Sequence, residues 1–139
     1  MNPILKNVLV FIGAWFLGSI VNSLLVSMGP MVIALPEGAS VADMETLKES
    51  MKLFKPQNFI FPFLGHAVGT LVAAFVVAKF AATNHMKLAL GIGALFLIGG
   101  ITAVLMLGGP LWFKALDLIV AYIPMAWLGG TLAGRKLNA

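Results

Sequence analysis

Residues 7–28 read NVLVFIGAWFLGSIVNSLLVSM, a stretch without one charged side chain. A helix needs about 20 such residues to cross about 30 Å of hydrocarbon. The stretch therefore predicts a membrane span from Asn7 to Met28, closed by Gly29-Pro30, with Met31 to Leu35 apolar enough to continue along an interface. Three further runs share its character, at about 59–80, 88–107 and 115–133. Short links join them, except for the longer segment Gly29 to Asn58. Composition agrees. Of the 139 residues, 60% are hydrophobic and 10% charged, whereas an ordinary soluble domain carries about 25% charged residues. Such a chain has too little polar surface to clothe a water-soluble fold and far too much apolar surface for disorder. The expected class is an all-α integral membrane protein, a single membrane domain of four transmembrane helices with an amphipathic interfacial helix between the first and second. A cleaved leader is not expected, because the first run exceeds the usual length of about 7–15 residues and lacks an A-x-A site.

The interfacial helix is read from the long link. Ser40-x-x-Asp43 resembles an N-cap box with Asp in place of Glu or Gln, and Pro56 stops what begins there. Between them, over 41–54, Val41, Met44, Leu47, Met51 and Phe54 recur at spacings of three and four, while Asp43, Glu45, Lys48, Glu49 and Lys52 take the other side. A helix of this pattern lies in the membrane plane and covers the mouth of the bundle, or docks a membrane partner.

Charge gives orientation and excludes one partner class. With the N-terminus inside, Lys6, Lys79, Lys87, Arg135 and Lys136 face the cytoplasm, without acids; Lys48, Lys52, Lys55 and Lys114 face out, three of them mingled with acids. The expectation is both termini cytoplasmic, in a bacterial-type inner membrane. The net charge of +4 does not signal nucleic acid, because the basic residues are scattered near the ends of apolar runs, where they act as anchors. The partners expected are the lipid bilayer and either further copies of the chain or another membrane protein.

With no cysteine, disulfides, Cys-ligated zinc, iron–sulfur clusters and thiol nucleophiles are excluded. No metal or cofactor is expected: His66 falls in the outer half of a span and His85 in the inner loop, too far apart for a shared haem. There is no P-loop, no G-x-S-x-G and no H-E-x-x-H. Enzyme chemistry is the least favoured class, since only His66, Asp117 and Tyr122 could move protons and no nucleophile is evident.

Small residues at spacing four let helix backbones approach closely. The second span carries Gly65, Gly69 and Ala73, the fourth Ala126, Gly130 and Gly134, and the third adds Gly91, Gly93, Gly99 and Gly100. Packing within one chain is favoured for these faces. Pro62 and Pro124 are expected to kink their spans. Each precedes a Gly-Thr-Leu triplet, a faint internal likeness that chance explains equally well.

Ionisable residues inside a membrane are costly and mark candidate sites. Asp117 has a simple partner in Lys114 at i−3. His66 is deeper. At about 1.5 Å per residue, Asn22, His66 and Thr102 fall at similar depths below the outer ends of three spans, about 7–10 Å down. Ser19, Asn22, Ser23 and Ser27 form one stripe, and His66 and Thr70 share a face. On a straight fourth helix, Asp117 and Tyr122 point about 140° apart, so at most one faces this layer. The expected site is a polar pocket in the outer half, formed by Asn22 and His66 with Ser19, Ser23, Thr70, Thr102, Tyr122 and Asp117, binding a small polar or ionic ligand or relaying protons. The alternative for the same residues is ordinary interhelical hydrogen bonding, worth about 0.6 kcal/mol per contact. The function expected from this is a transporter or channel for a small polar or ionic solute, oligomeric because four helices enclose almost no pore. The other class is a non-catalytic accessory subunit that binds a membrane protein through the loop helix and small-residue faces.

Overall fold

The computed structural model describes residues 1–137. Among them there are α-helices, one 3-10 turn and no strand: α1 Pro3–Val32, α2 Met44–Ser50, the 3-10 turn Pro56–Phe59, α3 Ile60–Phe80, α4 His85–Leu107, α5 Leu111–Val120 and α6 Ile123–Leu132. Four stretches are long and apolar enough to cross a membrane: Pro3–Val32, Pro56–Phe80, His85–Leu107 and Leu111–Leu132.

α1 starts where Asn2 accepts the Ile4 N–H at 2.8 Å and Pro3 supplies a preset φ at the first helical position. It runs for 30 residues and does not close at Gly29-Pro30 as the sequence suggested. Pro30 forfeits its bond to the Val26 carbonyl, but the next turn is intact, with Ile33 N–H on Gly29 O at 2.8 Å. At its other end Asn7 anchors the turn between α3 and α4. Its side chain accepts from Ala82 N–H at 2.8 Å and donates to Thr83 Oγ1 at 2.9 Å. α4 then begins at His85, three residues before the expected Leu88, launched by Asn84 in the left-handed region at φ 55°.

The link after α1 departs most from its sequence pattern. The helix there is Met44–Ser50, seven residues, in place of 41–54. Asp43 is the N-cap, its carboxylate accepting from Thr46 N–H and Thr46 Oγ1, both at 2.8 Å. Ser40 is occupied otherwise: its N–H donates to Ser50 Oγ at 2.8 Å and its hydroxyl accepts from Ala42 N–H. That pairing holds 40–42 out of the helix. Beyond Ser50 the chain tightens into i→i+3 turns because Lys55, which precedes Pro56, is extended. Pro56 opens the 3-10 turn that leads into α3, and Asn58 ties this turn to the exit of α1 by donating to Ala34 O at 3.1 Å.

α3 is the central helix, packed against α1, α4 and α6. The core around it is built of Ala14, Ala73, Ala74, Val77, Ala78, Met86, Ala89, Ile92 and Ala126. Small residues let backbones touch, which is how helices gain van der Waals contact when the surroundings are themselves apolar. A Cβ on Gly18 would fall 2.6 Å from Gly69 O, and one on Gly129 the same distance from Leu71 O. Gly65, Gly69, Ala73, Ala126 and Gly130 thus meet partners inside the chain, Gly130 against Met86. Gly134 does not belong with them. It lies beyond α6 at φ +75° with open space around it, and ends the helix by a left-handed cap in which Arg135 N–H reaches Gly130 O at 3.1 Å.

Neither inner proline kinks a helix in mid-course. Pro62 is in the first turn of α3, and Pro124 is the second residue of α6. The fourth apolar stretch is instead broken at Ala121–Tyr122, where Tyr122 takes φ −116°, ψ −77° and α5 gives way to α6. The break lies near the middle of Leu111–Leu132.

Candidate functional site

Two faces of α3 diverge at Gly65 and His66. Gly65 and Gly69 face α1, and Asn22 packs between them: a Cβ on Gly65 would lie 2.9 Å from Asn22 Oδ1, and one on Gly69 3.0 Å from Asn22 Cβ. His66, about 100° further round, faces α5. There Phe113 and Asp117, four residues apart on one side of the helix, are both buried. His66 Nδ1 lies 2.7 Å from Asp117 Oδ1.

The break in the fourth stretch completes the cluster. A continuous helix would point Tyr122 away from Asp117; the turn at Ala121–Tyr122 swings it back, so that Tyr122 Oη donates to Asp117 Oδ2 at 2.9 Å. Its ring stacks on the imidazole, 5.8 Å between centroids and 27° between planes. The expectation that at most one of the two would face the layer is therefore overturned, because it assumed an unbroken helix. The Lys114 pairing is overturned as well. Asp117 is 2% exposed and aligned with Phe113, whereas Lys114 lies on the half-buried side of α5, and the side chains that Asp117 meets are His66 and Tyr122.

Space for the phenol comes from α4. A Cβ on Gly100 would collide with the Tyr122 ring and hydroxyl; Gly93 instead admits the start of α6, since a Cβ there would meet Ala126 Cβ and, at 3.2 Å, the Tyr122 backbone carbonyl. Asp117 thus has both oxygens engaged. His66 has one nitrogen engaged; its Nε2 has no partner among the described residues and is not enclosed by the chain.

Above the triad is a cavity of about 470 Å³, at the end of the bundle where the α1–α3 link crosses. His66 and Asp117 are the ionisable residues that line it. The walls are otherwise mostly apolar: Phe61 from α3, Val104 and Leu107 from α4, Phe113 from α5, and Leu47, Met51 and Phe54 from the link. Phe59 braces one side, its ring 4.5 Å from Phe113 and 5.6 Å from Phe54 between centroids. The apolar stripe of the link, read from sequence as facing lipid or bundle, sends Leu47, Met51 and Phe54 into this cavity, while Met44 is exposed.

The remaining expected site residues are distributed differently. Asn22 is at the α1–α3 seam, with Oδ1 buried and without a hydrogen-bond partner among the described residues. Thr70 is buried and its hydroxyl donates to His66 O at 2.7 Å. Thr102 is exposed, with its hydroxyl on Ile98 O. Ser19 is half-buried and Ser23 exposed; Ser27, on the same stripe, reaches the cavity rim. The structure thus joins His66, Asp117 and Tyr122 and keeps Asn22, Ser19, Ser23 and Thr102 apart from them. The residues that sequence reasoning missed are the glycines that make the site possible, Gly93 and Gly100. They were visible only as a small-residue pattern.

The fold and site define a helical bundle with four stretches able to cross a membrane and a His–Asp–Tyr cluster at the floor of an end cavity. No family model, no curated protein and no solved structure matches this chain.

Proposed function

We propose that the chain is an integral membrane protein that binds a small solute in its end cavity and carries it across the bilayer. Membrane insertion is supported by the outer surface, where Phe16, Ile20, Leu24, Leu105, Ile119 and Leu132 are exposed; a lipid bilayer satisfies such a surface and water does not. On the excess of unopposed basic residues at the opposite end, the termini lie in the cytoplasm and the cavity opens outward.

The observation that carries the transport reading is the break at Ala121–Tyr122, at mid-stretch, where Tyr122 joins the His66–Asp117 pair that lines the cavity. Discontinuous helices near the midplane are where carriers hold their solutes, since half-helix ends and freed backbone groups line the site and the two halves can move separately. Four helices leave little room for a continuous conduit, so a second copy of the chain completes the path.

A Cys-free chain permits a direct test. Single Cys residues at Ala103, in the cavity wall, and at Met125, below the break, are probed in sealed vesicles with an impermeant thiol reagent from either side. A carrier gives labelling of Ala103→Cys from the cavity side and of Met125→Cys from the opposite side in part of the population. If Met125→Cys is inert from both sides under every condition while Ala103→Cys reacts, the cavity is a dead end and the carrier reading fails.

A further inference from the structure

The geometry points to the chemical class of the solute, a deduction that rests on the carrier reading above: a neutral amphiphile with an apolar body and one hydrogen-bond-accepting head, such as a carbonyl oxygen, received by His66 Nε2–H. Asp117 is 2% exposed and Tyr122 donates to one of its oxygens. A carboxylate beside a neutral imidazole leaves a full negative charge in an apolar enclosure, and a buried charge without a counter-charge is strongly disfavoured. One shared proton makes the pair net neutral.

That proton can sit on either side of the 2.7 Å contact between His66 Nδ1 and Asp117 Oδ1. On the imidazole, it gives an imidazolium with hydrogen on both nitrogens. On the carboxyl, it makes Nδ1 the acceptor, and the neutral ring carries its hydrogen on Nε2. Both net-neutral forms therefore present the same atom to the cavity, an Nε2–H donor. No side chain among the described residues accepts from it.

The cavity decides the rest of the molecule. Its volume of about 470 Å³ falls in the range of sites for small organic ligands. Its walls carry no other ionisable group; Phe54, Phe59, Phe61 and Phe113 line it with four aromatic rings, and Ser27, Gln57 and Asn58 are its uncharged polar side chains. A carboxylate or phosphate head would bring back the uncompensated negative charge that the shared proton removes. An ammonium head would reach Asp117 from the cavity but find both of its oxygens already engaged by His66 and Tyr122, and would meet the Nε2–H donor with another donor. A neutral carbonyl satisfies the free donor and leaves the enclosure uncharged.

The test uses the full chain in lipid nanodiscs and four medium-chain phenyl-substituted probes of one length: a ketone, the parent hydrocarbon, a primary amine and a carboxylic acid. Saturable binding is measured by calorimetry in buffers of different ionisation enthalpy, which counts protons, and the His66 signal is followed in ¹⁵N-histidine spectra. The ketone is expected to bind about tenfold or more tightly than the hydrocarbon, the factor for about 1.4 kcal/mol of buried hydrogen bond, and to shift the Nε2–H resonance. In His66→Gln the amide N–H₂ is taken by Asp117 and a carbonyl faces the cavity, so ketone affinity falls to that of the hydrocarbon while thermal stability is kept. Preferential, His66-dependent binding of the amine with proton release, or of the acid, refutes the neutral-acceptor assignment and leaves the carrier reading standing. Equal binding of all probes, unaffected by His66→Gln, also refutes it and reduces the cavity to an apolar crevice. Absence of saturable binding by any probe refutes the neutral-acceptor assignment, while the carrier reading stands or falls on the two-sided labelling of Ala103→Cys and Met125→Cys.

Discussion

Replacing Gly100 by Ala adds one methyl group at the point where α4 clears the Tyr122 phenol. The new Cβ would stand 2.6 Å from Tyr122 Cζ and 2.7 Å from Cε2. Regaining ordinary carbon contact requires a shift of roughly 1 Å. The ring has nowhere to retreat, being 2% exposed and stacked on His66. A movement of that size breaks the 2.9 Å bond from Tyr122 Oη to Asp117 Oδ2. Overpacking of this kind costs about 1–3 kcal/mol, and leaving a buried carboxylate short of a donor costs about 1–3 kcal/mol more. The expected loss is therefore about 2–6 kcal/mol. Gly99 supplies the control: a Cβ there meets nothing within 4 Å, so Gly99→Ala is expected to be neutral or to stabilise by up to about 1 kcal/mol through helix propensity. Two measurements read the outcome, reversible unfolding in detergent and the spectrum of isotope-labelled tyrosine, which reports Tyr122 alone because the chain has one tyrosine. Equal stability of the two variants with an unchanged tyrosine resonance would refute the argument that Gly100 holds the cluster together.

Two further outcomes follow from local geometry. Thr46, through its backbone N–H first and its hydroxyl second, holds the Asp43 carboxyl below its ordinary value of 3.8. A depressed carboxyl stabilises the folded segment above the unfolded value, and that stabilisation is lost as pH falls below about 3.8 and through the folded value; spin labels on Met44–Ser50 should therefore gain mobility on acidification through this range, and Asp43→Asn should remove the transition. At the α1–α3 seam, Gly18→Ala places a Cβ 2.6 Å from Gly69 O and 2.7 Å from Ala73 Cβ, so the detergent-solubilised protein should lose about 1–3 kcal/mol. Gly13→Ala, with nothing within 4 Å, should not.

The apolar stretches were legible because hydrocarbon thickness sets their length and Pro, Gly and Asn punctuate their ends. α3 ends at Phe80 and α4 at Leu107, the residues at which their runs end in the sequence. The fourth stretch was legible as a length and not as a shape. Its residues are apolar on both sides of Ala121, and Pro124 was the one mark of discontinuity. Helical periodicity projects side chains correctly only while the backbone stays helical, and Tyr122 leaves it. Projection across the break therefore separated by about 140° two groups that share a hydrogen bond. The link failed for another reason. Its apolar spacing was real, since Leu47, Met51 and Phe54 do share a target, but side-chain bonds between Ser40 and Ser50 and at Asp43 set the helix ends, and an apolar pattern says nothing of those.

Depth and direction are separate questions, and the polar layer shows why. Residue counting places Asn22 and His66 at nearly one height, because rise per residue is constant. It says nothing about which way either side chain turns. The small-residue stripe could have supplied that second coordinate. If Gly65 and Gly69 are where another helix backbone comes closest, the helix opposite must be received on that face, and a residue one position along points about 100° away from it. His66 then turns from α1, and a polar partner for it must be sought on the remaining apolar stretches, where Asp117 is the one acidic residue. The same reasoning assigns Asn22 to the seam, where its Oδ1 lies against Gly65. Read this way, the glycines carry directional information equal in value to the depth of the ionisable residues, and the two together lead from sequence to the His66–Asp117 contact.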